Sequence, residues 1–175
     1  MKLYAYIPIL FCVFMIVSGC QSKALQTIFE AQEWENLAVA EGVTCNVPKM
    51  IDGNLKTVGF VDGRWINLTL RKRQTIHRII IRGTNITDAV VYQQIQGGRK
   101  WQAILEIKNN RGPVIEARLS TVTKALRIFV SGTADDARQP PQFSPRYGGI
   151  VSRRAIAKAY AKEVEVYGFK SKDKK

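Results

Sequence analysis

The feature that most constrains this chain is a rhythm. From Trp65 onward, short runs rich in β-branched and aromatic residues follow one another about ten residues apart, with turn signals between them. The runs are WINLTL (65–70), TIHRIIIRG (75–83), AVVYQQI (89–95), WQAILEI (101–107), VIEARLS (114–120), ALRIFVSG (125–132) and EVEVYGF (163–169). The stretches RKRQ, GTNITD, GGRK, KNNRG and STVTK separate them. Several runs alternate. Trp65, Asn67 and Thr69 fall on one side of a strand and Ile66, Leu68 and Leu70 on the other, while Val164 and Val166 sit between Glu163, Glu165 and Tyr167. Period two with one apolar side marks a half-buried antiparallel sheet. The pattern predicts an all-β sandwich or barrel. One segment breaks it: TADDARQPPQFSPRYGG (133–149) carries prolines and no alternation, and loops beyond about 12–15 residues are usually functional or mobile. SRRAIAKAYAK (152–162) follows. It reads either as a short Ala-rich helix with a basic face or as an extended lead-in to the last strand.

The N-terminus obeys another logic. MKLYAYIPILFCVFMIVSGC has one early lysine and then an uncharged apolar run, Leu3 to Val17. That run is shorter than the roughly 20 residues that span a bilayer and ends in small residues, as secretory signals do. Val17-Ser18-Gly19-Cys20 resembles the bacterial lipobox. The resemblance implies cleavage before Cys20, acylation of its thiol and a firm membrane anchor. Gln21, not Asp, follows the cysteine, which in Gram-negative lipoproteins implies sorting to the outer membrane, facing the periplasm or the exterior. The expected organisation is a signal over 1–19, a lipidated tether over 20–34 and one β-domain over 35–169. Residues 133–162 form a basic insertion within it, and a basic tail covers 170–175. Leu25, Ile28 and Phe29 have helical spacing within the tether.

Cysteine and charge narrow the partners. Cys12 leaves with the signal and Cys20 is assigned to lipid, so Cys45 remains as the thiol of the mature chain. A lone cysteine excludes an internal disulfide framework; Cys45 reads as a small core residue, with an intermolecular bridge as the sharper alternative. The formal net charge is +13. Beside a membrane such a balance points to anionic headgroups, acidic glycans or an envelope protein's acidic face. Nucleic acid is disfavoured outside the cytoplasm.

Taken in order, the runs resemble the discoidin, or coagulation-factor type C, domains of the galactose-binding-like superfamily. ENLAVAEGVTC is similar to their first strand, IDGNLKT to their Asp-Gly-x-x-x-Thr loop, and RWINLTL and IHRIIIRG to the strands after it. IQGGRKWQAI resembles their Asp-Gly-x-x-Trp hairpin, TKALRIFV and KEVEVYG their closing strands. The resemblance covers Glu35 to Phe169 and implies a jelly-roll sandwich of about eight antiparallel strands. Gly97-Gly98 stands where Asp-Gly is usual, and the insertion is unusually long and basic.

Many such domains hold a structural calcium where the Asp-Gly loop meets the last strand. By position, the resemblance makes Asp52 and Glu163 its carboxylates and Thr57 a hydroxyl and carbonyl donor, within the six-to-eight-oxygen shell calcium takes. The plain alternative is a metal-free turn in which Asp52 satisfies local amides. Lys56 and Lys162 flank the set. Glycan-binding relatives use pole loops carrying an aromatic with Arg, His or Asn; Phe143, Arg146 and Tyr147 in the insertion have that chemistry. Trp65 and Trp101 occupy framework positions and are expected in the core. His77, the sole histidine, sits within a strand with no triad around it, and Asp135-Asp136 read as a solvated loop pair. Without zinc spacing, a phosphate loop or a nucleophile–base set, the sequence points to binding and not to catalysis. The bound partner is expected to be carbohydrate or, in the alternative, a protein docked through the insertion and basic surface.

Overall fold

Two of the stretches read as turns are strand. The computed structural model describes residues 33–95, 98–136, 141–144, 149–154 and 157–170, with backbone alone for 141–144 and 149–154. The signal, Cys20, nearly all of the tether and the end of the basic tail lie outside the described residues. The strands are β1 (Trp34–Asn36), β2 (Thr44–Cys45), β3 (Gly59–Phe60), β4 (Trp65–Arg82), β5 (Ile86–Gln94), β6 (Trp101–Ile107), β7 (Val114–Thr133), β8 (Pro141–Ser144), β9 (Gly149–Arg154), β10 (Tyr160–Ala161) and β11 (Glu163–Phe169). RKRQ lies inside β4 and STVTK inside β7. The two strands pair along their length with a register shift between Thr69 and Gln74. Three exposed cations, Arg71 to Arg73, sit between buried Leu70 and Ile76, so the polar interruption is a bulged corner that both strands cross together.

That corner folds one sheet into two layers. The first holds β1, β11, the Gln74–Arg82 half of β4 and the Val114–Thr123 half of β7. The second holds β2, the Trp65–Leu70 half of β4, the Ala125–Thr133 half of β7, then β5 and β6. Ile66, Leu68 and Leu70 from one layer join Ile79, Ile81, Val164 and Val166 from the other in a single core. The expected all-β antiparallel sandwich is the observed fold. The expected first strand, however, is interrupted. A 3-10 turn at Leu37–Val39 follows β1 because the Asn36 side chain accepts from both Ala38 N and Val166 N, each at 3.1 Å. Trp34 belongs to β1, opposite Phe169, instead of preceding the first strand.

The insertion leaves the sandwich at the end away from the corner, and both its feet are pinned. Asp136 accepts from Thr133 N at 2.9 Å and from the Thr133 hydroxyl, Ala157 N and Arg64 Nη2 at 2.8 Å. Asn85 donates to Asp135 and to the Lys158 carbonyl and accepts from Tyr160 N. The described part of the insertion is the β8–β9 hairpin. The helical reading of 152–162 fails: Ser152 to Arg154 are strand, and the chain returns extended through β10, which pairs with β3. Ala157, Ala159 and Ala161 are buried at 4%, 2% and 0% exposure. Alternate small side chains fit close against the core edge, and that period of two overrides the helix preference of alanine.

Candidate functional site

The outer face of the second layer carries an open cleft. Alternation in β4 buries Ile66, Leu68 and Leu70 and leaves Trp65, Asn67 and Thr69 on the other face. Register then sets cross-strand rows. Trp65 stands opposite Phe129, Asn67 opposite Arg127 with Tyr92 beyond it, and Thr69 opposite Ala125, while Gln94 stands opposite Trp101. Ala125 is the smallest side chain in its row, so the surface dips there. The dip is a cleft of about 320 Å3 whose lining includes Asn67, Thr69, Gln94, Trp101, Lys124 and Arg127. The Arg127 guanidinium lies 4.0 Å above the Trp101 ring, a stacked cation that fixes both groups. Next to it Trp65, 37% exposed, packs 4.8 Å from Phe129 and 5.8 Å from Tyr92 between ring centres. A second cleft of about 380 Å3, lined by Arg73, Gln93, Gln94, Ile95, Ser120 and Val122, shares Gln94 with the first.

This corrects the expectation for the tryptophans. Neither Trp65 nor Trp101 is in the core; both are on the outer face. The signal was present in the sequence, since Trp65 alternates with Asn67 and Thr69 and not with the isoleucine and leucines. Asn67, Thr69, Gln94, Lys124, Ala125 and Arg127 carry no site signal in the sequence, because each is an ordinary strand residue until register brings them together.

At the opposite end of the sandwich the Asp-Gly loop meets β11 as the resemblance implied. Gly53 takes a left-handed φ of +72°, which explains Asp-Gly at this turn. Its N–H donates to Glu163 Oε1 at 3.3 Å. Asp52 Oδ1 accepts from Asn54 N at 2.9 Å. The Thr57 hydroxyl has a single proton yet is surrounded by Asp52 Oδ2 and Asn54 O at 2.8 Å, Asp52 Oδ1 at 3.1 Å and Lys49 O at 3.4 Å. Glu163 is 3% exposed, and its Oε2 is buried without a hydrogen-bond partner among the described residues. Burial, reinforced by the Asp52 carboxylate, pushes Glu163 up to about 7. An orphaned buried carboxylate oxygen beside a knot of oxygens fits a hard dication. Lys162 does not fill that place: its methylenes lie against Gly83, where an added Cβ would meet its Cδ at 2.5 Å. No group of three or more Asp, Glu, His or Cys gathers here among the described residues, so carbonyl oxygens and the Thr57 hydroxyl would have to complete any shell.

The remaining candidates divide. Asp136 is not a free surface carboxylate: half-buried, it pairs with Arg64 at 2.8 Å. Although burial opposes this, the Arg64 guanidinium and the amides of Thr133 and Ala157 hold it down to about 2. His77 packs at a tilt 4.6 Å from Phe169 and edge-on 5.9 Å from Trp34, between ring centres. Cys45 is half-buried, and burial raises its thiol pKa despite the bond its sulfur accepts from Val47 N, as for an inert packing residue. The Phe143 backbone pairs with Ile150 in the β8–β9 hairpin. The Phe143 side chain, and Arg146 and Tyr147 entirely, lie outside the described residues.

No family model and no curated protein matches the sequence. Solved structures do match its fold. The chitosan-binding module 2 of a Paenibacillus sp. IK-5 chitosanase/glucanase, in complex with chitotriose, is 18% identical with a TM-score of 0.56, covering 76% of this chain and 100% of that one. The module CpGH89CBM32-5 from Clostridium perfringens, in complex with GalNAc-β-1,3-galactose, is 15% identical with a TM-score of 0.55, over 77% and 100%. The family 32 carbohydrate-binding module of Streptococcus pneumoniae EndoD is 16% identical with a TM-score of 0.54, over 76% and 99%. The fold is therefore the antiparallel jelly-roll sandwich that these carbohydrate-binding modules share.

Proposed function

We propose that this chain is a membrane-anchored lipoprotein that binds carbohydrate without catalysis, through the cleft at Trp101. The observation that carries the reading is the cleft itself. An aromatic ring is held under Arg127 beside the amides of Asn67 and Gln94 and the hydroxyl of Thr69. A sugar offers C–H groups for the part of the ring that Arg127 leaves uncovered and hydroxyls for the amides, and a few convergent polar groups on a preformed concave surface are what ligand sites use. Fold neighbours crystallised with chitotriose and GalNAc-β-1,3-galactose support sugar as the ligand class. The test is a glycan array with the wild type and Trp101→Ala. Saturable binding lost in a variant that melts like the wild type is expected; a folded wild type that binds no glycan overturns the reading.

Calcium at Asp52, Thr57 and Glu163 completes the proposal. The ion would neutralise the two carboxylates and tie the first loop to the last strand, a structural part and not a catalytic one. Acylation of Cys20 would hold the domain at the outer membrane; Cys20→Ser protein that still partitions with membranes at unchanged mass would sink that part. The pinned feet of the insertion favour a second reading, in which the β8–β9 hairpin is presented to an envelope protein. A stoichiometric crosslinked partner, lost when the hairpin is trimmed, would support it.

A further inference from the structure

The cleft and its surroundings are electropositive without internal compensation. Lys124 and Arg127 line the cleft, Arg73 lines its neighbour across Gln94, and neither lining contains an Asp or Glu. Three other arginines of the sandwich are paired: Arg64 meets Asp136 at 2.8 Å, Arg78 meets Glu116 at 2.6 Å and Arg82 meets Glu165 at 2.8 Å. Arg127 has a ring beneath it instead, and no carboxylate pairs with it among the described residues. The stack occupies the face of the guanidinium and leaves its N–H edge, the part that matches a carboxylate or sulfate.

The same end of the sandwich gathers more cations. Arg71 and Lys72 are exposed on the bulged corner of β4, and Arg99 and Lys100 are exposed on the β5–β6 hairpin, which Ile95 N closes by donating to Lys100 O at 3.0 Å. Glu41 reaches this corner through Gly42, against which Arg71 packs, but lines neither cleft. Like charges around a concave surface focus a positive potential. A neutral sugar would leave that potential unused.

We infer, building on the carbohydrate reading above, that the ligand is an acidic polysaccharide. Its carboxylates or sulfates cross Gln94 between Arg127, Lys124 and Arg73, while one sugar ring packs beside the Trp101–Arg127 stack. Ile95 and Val122 are also exposed here, at 38% and 48%, and would suit a lipid surface. The concave shape and the stacked ring favour a chain-shaped ligand over a flat bilayer.

The test is calorimetry on the folded domain at fixed ionic strength, with oligogalacturonate, its fully methyl-esterified form, sulfated dextran and phosphatidylglycerol vesicles. An acidic oligomer is expected to bind, with the carboxylate and sulfate arms naming the preferred anion. Affinity should fall about tenfold or more on esterification and on Arg127→Gln or Lys124→Gln, and should weaken with added salt. Arg111→Gln, an exposed cation in the loop between β6 and β7, should leave it unchanged. Equal affinity for the ester, or binding confined to neutral glycans on the array, overturns the charge inference while the carbohydrate reading stands. Equal loss in Arg111→Gln reduces it to the field of the whole protein and also overturns it. Binding to vesicles with no glycan binding replaces the ligand class, and so removes both readings.

Discussion

Replacing Glu163 by glutamine should stabilise the metal-free protein and abolish its response to calcium. The carboxyl is 3% exposed with one oxygen unpartnered, and burial carries it from 4.5 to about 7. Because the folded value is the higher one, the native state binds more protons than the unfolded chain between those two pH values. The stability that comes with the protonated form is thus fully present below about 4.5 and is lost as pH rises through about 7. At about 1.4 kcal/mol per pH unit, the whole interval is worth about 3 kcal/mol. Glutamine keeps an oxygen for Gly53 N and removes the charge. In chelator at pH 8, Glu163→Gln should therefore melt about 6–12 °C above the wild type for a domain of this size. At pH 4 the two should nearly coincide. Adding calcium should reverse the order at pH 8, because binding the native state alone stabilises the wild type by mass action. Scanning calorimetry across pH, with and without the ion, reads all four conditions. A variant no more stable than the wild type in chelator, or a calcium shift shared by both, would refute the account of Glu163.

Asp136 gives the opposite sign. Held at about 2 instead of 3.8, it contributes stability that is present above about 3.8 and lost as pH falls through about 2. Asp136→Asn should cost about 2 kcal/mol at neutral pH and free the insertion's feet, read as faster proteolysis between 137 and 156. Ala125→Leu should fill the cleft floor and cut glycan affinity at least tenfold and, because Ala125 is only 6% exposed, should also lower the melting temperature by overpacking; unchanged affinity by titration of the folded variant would mean that the ligand does not enter there.

The layers were legible because burial writes itself into alternation. Ile66, Leu68 and Leu70 face the core, and the Val164–Val166 pair of the last strand does the same. The corner was hidden because Arg71 to Arg73 look like loop residues; a charged stretch reads as a break unless one knows that both neighbouring strands bend with it. Alternation also foretold the extended chain at Ala157, Ala159 and Ala161, but there composition spoke for helix. The meeting of the Asp52 loop with Glu163 was visible through the resemblance. The cleft was not, for its residues come from β4, β5, β6 and β7, and only pairing register makes Ala125 a low point between Thr69 and Gln94. The tryptophans were misplaced for a related reason: their framework position outweighed the outward side of the strand pattern. Asp136 could be recognised as a foot of the insertion only once Arg64, far away in sequence, was seen beside it.

The two sites stand at opposite ends of the sandwich, which fixes how they can interact. Glu163 pairs with Arg82, at the far end of β4 from the corner, where Gln74 pairs with Thr123 next to Lys124. Eight residues of strand separate Arg82 from Gln74, roughly 25 Å at about 3.3 Å per residue. No residue of the cleft lining is among those that hold the Asp52 loop in place. Coupling over such a distance requires an element with two arrangements that both sites bias; β4 and β7 instead pair on both sides of the one irregularity in the interval, between Ile76 and Arg78. Calcium should therefore raise the melting temperature without changing glycan affinity at fixed ionic strength, provided the protein is folded in both conditions. Calorimetric titration of the same acidic oligomer in calcium and in chelator tests this directly. A tenfold difference in affinity, with melting well above the assay temperature in both, would mean that the corner moves when the loop is clamped, and the bulge at Arg71 to Arg73 would be the place to look for the motion.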